Sequence, residues 1–123
     1  EEIVQVSLPH WHGPDDVFHL MSILSPVGDN AVLVYAPLLP VAFRLWLLER
    51  ELRLIEVPDE EFASMASNVL SVAPDKCIAL EGNPVTRARL EKAGIEVLVY
   101  DGTEISRKGE GGPTCLTRPL VWE

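Results

Sequence analysis

The sequence predicts an α/β chain built from a ββαβ unit used twice. Two stretches, VLVYAPLLPVAFRLWLLERELRLIEVPDEEF and CIALEGNPVTRARLEKAGIEVLVYDGTEI, have the same layout. Each reads as a strand, a helix opened by proline, a second strand and a short acidic helix. A further β-rich run precedes each of them across a turn, which completes the unit. A repeat of this size implies units that cannot bury their apolar faces alone and must pack on their neighbours. The chain has 123 residues, 47% of them hydrophobic, enough for one domain with a real core but not for two.

The elements follow in order. Val4 to Leu8 is predicted as a strand, and PHWHGPDD after it is irregular. Two β-rich runs, 17–25 and 31–36, flank Gly28-Asp29-Asn30, a hairpin signal. PVAFRLWLLEREL reads as a helix with Pro40 in its first turn and Val41, Leu45, Leu48 and Leu52 spaced along one face. RLIEVP is a strand, and DEEFASM a short helix opened by Asp59 at a capping position. SNVLSVAPDKCIALEG gives two strands across a turn at Pro74-Asp75. NPVTRARLEKAG is a helix with Asn83 as N-cap, Pro84 at the first helical position and Gly94 as its stop. IEVLVYDG is the last long strand and TEIS a helical turn.

Composition narrows the function. A net charge of −9 argues against nucleic acid, since phosphate contacts rely on clustered Lys and Arg. The longest apolar run, Ala31 to Leu48, is interrupted by Pro37, Pro40 and Arg44, so no membrane span is expected. Two cysteines make no disulfide framework, and a reducing, cytoplasmic setting is expected. Glu1 and Glu2 run into IVQVSLP with neither an initiator Met nor a signal-peptide pattern, as in a chain that begins mid-protein.

The candidate residues are few. Cys115 follows GEGGPT, where glycines permit close backbone approach and Pro113 stiffens the loop; the readings are a reactive thiol or an incidental one. Cys77 lies in the apolar run KCIALEG, with alternation setting it opposite Ile78, and reads as core. His19, in VFHLMSIL, either serves as acid–base partner to a thiol or is a core histidine with a satisfied ring. His10 and His12 stand two apart, as metal ligands on a strand do, but no third ligand is suitably spaced, and no metal site is predicted. Asn68 opens the VLSVAP strand and caps the bend before it, or lines a site. GEGGP lacks the GK[ST] ending of a phosphate loop.

Taken in order, FHLMSILSP, SNVLSVAPDKCIALEGNPVTRARLEKAGIEV and SRKGEGGPTCLTRPL resemble the guanidino-group-modifying (pentein) superfamily, over almost all of Val17 to Leu120. Within it the likeness is to the C-terminal half of bacterial dimethylarginine dimethylaminohydrolases. The resemblance implies Cys115 as the nucleophile of a GG-x-x-C motif and His19 as the catalytic histidine. Asn68 and Gly112 become candidate substrate-binding positions, the glycines letting a flat guanidinium reach the thiol. The fold implied is a five-bladed α/β propeller of ββαβ modules around a central channel. Residues 1–123 would supply two modules and a closing strand, as the C-terminal part of one catalytic domain. The activity implied is hydrolysis of an N-methylated arginine to citrulline and an amine, without metal or organic cofactor. The alternatives are an amidinotransferase, an arginine or agmatine-type deiminase, or a structural half that works only with missing N-terminal modules. The partners implied are a cationic guanidino molecule and complementary N-terminal modules or a second copy. The family's guanidinium-gripping carboxylates match no position here. Met21 stands where many relatives have Asp, which weighs against an arginine deiminase and leaves substrate choice open.

Overall fold

A computed structural model describes residues 2–121. Glu1, Trp122 and Glu123, the extremes of the predicted 1–123 unit, lie outside the described residues. Two three-stranded sheets are present, ordered β1-β2-β3 and β4-β5-β6. The first holds β1 (Leu24–Val27), β2 (Ala31–Val34) and β3 (Arg53–Glu56), with helix α1 (Val41–Glu49) between the last two. The second holds β4 (Leu70–Ala73), β5 (Lys76–Leu80) and β6 (Glu96–Tyr100), with α3 (Pro84–Lys92) between β5 and β6. In each, an antiparallel hairpin is followed by a strand that pairs in parallel after a helical crossover. The ββαβ repeat read from the sequence is therefore present twice, with α2 (Asp59–Phe62) bridging the units and a π-type turn (Thr103–Arg107) closing the second.

One apolar cluster joins both units, drawing Leu33, Val34 and Ile55 from the first and Val69, Cys77 and Leu90 from the second. β2 is buried along its whole length, as expected of a central apolar strand paired on both edges. The two hairpin tips meet: a Cβ on Gly28, whose φ is +67°, would lie 2.9 Å from the Pro74 carbonyl oxygen.

Hydrogen bonds also tie the units together. Arg89 Nη1 donates to the Glu56 carbonyl at 2.7 Å, and Arg53 Nη2 donates to the Ala93 carbonyl at 3.1 Å. The buried Glu61 carboxylate of α2 accepts the Val85 and Thr86 N–H groups at 2.7 and 2.9 Å and the Thr86 hydroxyl at 2.6 Å. It occupies the N-terminus of α3, where orphan N–H groups and the helix dipole favour an anion.

Several expectations need correction. Asn83 sits at the N-cap of α3 but its side chain makes no cap bond. Its amide donates instead to the Ser64 and Leu80 carbonyls, and Glu61 does the capping. Asp59 is the first residue of α2, after Pro58, and its carboxylate accepts the Tyr35 hydroxyl at 3.0 Å. Of the predicted helix face, Val41, Leu45 and Leu48 are 73%, 54% and 46% accessible, and only Leu52, beyond the helix end, packs half-buried on the core. VAFRLWLLE is apolar nearly all round, so spacing alone selects no face. Leu47 is buried instead, with Phe43 and Trp46 packed half-buried on the core, because their rings cover more area. Val4 to Leu8 forms no strand, having no ladder partner among the described residues, and the run 17–25 becomes strand only from Leu24. The predicted closing strand after Cys115 is likewise not formed among the described residues. Residues 113–116 form a turn, with the Leu116 N–H bonded to the Gly112 carbonyl at 3.2 Å, and Pro119 has no N–H to give a ladder.

Candidate functional site

The site is built where the chain leaves one unit and enters the next. After α2, residues 63–68 return to the start of β4 and deliver Asn68; after the π-type turn, residues 108–115 make the equivalent return and deliver Cys115. The two meet. Asn68 Nδ2 donates to the Cys115 sulfur at 3.2 Å, while its Oδ1 accepts the Thr114 N–H at 3.0 Å and the Thr114 hydroxyl at 2.8 Å. Two donors on one end of the amide fix its orientation and leave the NH₂ end facing sulfur.

Asn68 is only 5% exposed, whereas Cys115 is exposed. A buried carboxamide with bonds at both ends thus holds an accessible thiol. The glycines serve this packing. A Cβ on Gly112 would fall 2.4 Å from Asn68 Cγ, so only glycine lets the loop close over the amide. Gly111, Gly112 and Pro113 are buried, while Gly109 and Glu110 just before them are exposed. Glu110 itself holds φ +55°, a left-handed turn into the buried segment.

His19 is exposed and stands just before a short 3₁₀ turn, Leu20–Ser22, rather than inside a strand. Its carbonyl accepts the Ser22 N–H at 2.9 Å. The buried-core alternative is therefore removed. Among the described residues no hydrogen bond joins the His19 ring to Cys115 or to any other group, so its imidazole is unoccupied. His10 and His12 lie in an irregular segment, where His10 Nδ1 bonds the Asp16 carbonyl at 3.1 Å and His12 stacks on Trp11. Among the described residues no three metal-ligating side chains cluster.

Cys77 is the opposite of Cys115. It is fully buried in β5 beside a half-buried Ile78, and burial pushes its thiol up to about 11. A cleft of about 830 Å³ lies between the hairpin tips and the segment after the thiol, lined by Gly28, Asp29, Val72, Thr117 and Arg118. Cys115 adjoins this cleft in sequence without lining it. No helix of the described residues is long and apolar enough to cross a membrane.

Sequence reasoning singled out Asn68 and Cys115 separately but missed Thr114, which shares the amide, and Ser25, which holds the backbone around it.

The chain is similar to known proteins over most of its length. The family model described as arginine deiminase matches residues 21–122. An uncharacterised protein of Bacillus subtilis, YkgA, is 32% identical over 104 residues, 84% of this chain and 35% of YkgA. Among solved structures, the N-terminal domain of ArgZ, a cyanobacterial arginine dihydrolase bound to product, superposes with a TM-score of 0.73 at 24% identity, covering 94% of this chain and 42% of that one. DDAH from Pseudomonas aeruginosa, a Cys-to-Ser mutant complexed with citrulline, gives a TM-score of 0.62 at 28% identity over 82% of this chain and 36% of that one. The chain thus spans about a third of the length of YkgA and of the Pseudomonas DDAH, and a fifth or less of the curated arginine deiminases it matches.

Proposed function

Because the chain belongs to the arginine deiminase family, within the guanidino-group-modifying (pentein) superfamily, we propose that it is the thiol-bearing part of a guanidino-group hydrolase. The observation that carries this reading is the accessible Cys115 sulfur held at 3.2 Å by a buried Asn68 amide. In the reaction proposed, the Cys115 thiolate attacks the guanidinium carbon. The bond from that carbon to one nitrogen breaks, and the amine leaves with a proton from His19. A thiouronium remains on the sulfur. Water gives a proton to His19 and attacks the same carbon, the carbon–sulfur bond breaks, and a ureido product leaves while the thiolate is restored.

Cys115 is thus the nucleophile and His19 the acid–base. Asn68 and Gly112 form the wall beside the sulfur that a flat cation would meet. The ββαβ units are read as two blades of a five-bladed propeller whose remaining blades, with the carboxylates that grip the guanidinium, belong to the rest of the protein or to a partner copy. The family model supports arginine as substrate, with ammonia leaving. The likeness to the Pseudomonas DDAH supports dimethylarginine, with dimethylamine leaving, as the second reading. Incubating the native-length protein with each guanidine and measuring citrulline and released amine separates the two. No ureido product from either overturns the hydrolase reading, and transfer of the amidine to an added amine replaces it with an amidinotransferase.

A further inference from the structure

Ser25 is a polar residue in the strand LSPV, and it is completely buried. A buried hydroxyl is costly unless it is paired, and this one pairs in a particular way. Its Oγ donates to the Ser67 carbonyl at 2.6 Å and accepts the Val69 N–H at 3.2 Å. Those are the peptide groups on either side of Asn68. One hydroxyl from the first unit therefore fixes the backbone that carries the Asn68 amide from both flanks, and that amide in turn holds the Thr114 backbone and the Cys115 sulfur.

We propose that Ser25 is a positioning residue for Cys115, acting through Asn68. The inference rests on reading Cys115 as the nucleophile. An N–H donor aimed at sulfur favours the anionic over the neutral thiol, and the benefit depends on sub-ångström placement of the donor. Ser25 supplies that placement from a distance: its hydroxyl bonds the two backbone groups flanking Asn68, with a long contact to the Met21 sulfur at 4.0 Å.

A merely structural role makes the opposite prediction. If Ser25 only joined β1 to β4, its loss would loosen the loop and speed attack by a small alkylating agent. If it positions the donor, its loss withdraws the N–H that stabilises negative charge on the sulfur during attack and slows it. The experiment is iodoacetamide alkylation of the native-length protein at neutral pH, with modification of the Cys115 peptide followed by mass spectrometry. Ser25→Ala should slow labelling about threefold to tenfold. Asn68→Ala should slow it similarly, and the double variant should be no slower than Asn68→Ala alone, because both act on one path. Thr86→Val, which removes a buried hydroxyl bond at α3, is the control for lost stability and should label at the parent rate. Parent-rate or faster labelling in Ser25→Ala, or additive losses in the double variant, overturns the Ser25 role while leaving Cys115 as nucleophile. Failure of the parent protein to label at Cys115 overturns both. Should Ser25→Ala not fold, the path is read from the other end in the parent: alkylating Cys115 should shift the Val69 amide resonance, and an unmoved resonance overturns the proposal.

Discussion

The two ββαβ units share a layout and differ in how completely each is finished. In the first, β1 and β2 are buried at all but one position, and the helix has one exposed apolar face. In the second, the sheet is only half covered, with Val72, Leu98 and Val99 at 47%, 44% and 39% exposure. The second unit also takes its helix cap from the first, through Glu61. The residues proposed to function divide along the same line. The first unit contributes His19 ahead of its hairpin and the buried Ser25, while the returns after each unit contribute Asn68 and Cys115. The segments that follow the two units thus supply a hydrogen-bonding amide and the thiol it touches. What the difference teaches is that the site belongs to neither unit; it exists where their returns meet.

The largest effect should come from His19. It is exposed and its ring makes no hydrogen bond among the described residues, so replacing it costs the fold little. As a general acid–base it should nonetheless matter: His19→Ala should lower turnover of the native-length protein about 10²–10⁴-fold with the melting temperature unchanged. Unfolding with normal activity per folded molecule would move His19 out of the chemistry.

The dependence of the second unit on the first is tested at Glu61. Glu61→Ala leaves two helix N–H groups and the Thr86 hydroxyl without their acceptor, and should destabilise by on the order of 3 kcal/mol in urea titration. A change below about 0.5 kcal/mol would mean that α3 is capped by other means. Gly112→Ala comes next. Its methyl would overlap Asn68, so about 1–3 kcal/mol of stability should be lost together with rapid labelling control at Cys115, read as an altered alkylation rate. The smallest effect sharpens the comparison of helix ends. α1 is followed by Glu51 at φ +58°, where the corresponding stop after α3 is Gly94 at +89°. Glu51→Gly should stabilise by up to about 1 kcal/mol and Gly94→Ala should destabilise by a similar amount.

Cys77 adds a pH dependence. Burial raises its thiol from 9.0 to about 11, so its contribution to stability is full below about pH 9 and is lost as pH rises towards 11. Denaturation midpoints taken across that range should fall in the parent and stay flatter in Cys77→Ala.

Much of this was legible in the sequence for identifiable reasons. The repeat showed because both crossover helices open with proline and both hairpins carry turn residues, and Cys77 read as core from the apolar run around it. The face of α1 was not legible, because a helix apolar on all sides has no distinguishing period. Val4–Leu8 and the segment after Cys115 have strand composition, but a strand also needs a free edge to pair with. Asn83 and Asp59 looked like caps by position; which acceptor reaches a helix end depends on tertiary contacts, and Glu61 arrives from 24 residues away. The site was half legible. Cys115 and Asn68 each stood out, yet their contact, and the Ser25 hydroxyl behind it, span sequence separations of 47, 42 and 44 residues that no local pattern reveals.

The central claim is that Cys115 carries the substrate carbon, and it is tested by quenching the native-length protein in acid during turnover of a guanidine and weighing its peptides. The account predicts that the peptide containing Cys115 gains the mass of the substrate less the departing amine, with the Cys77 peptide unmodified. Continuing turnover with no adduct on Cys115, or with the adduct on Cys77, would contradict it.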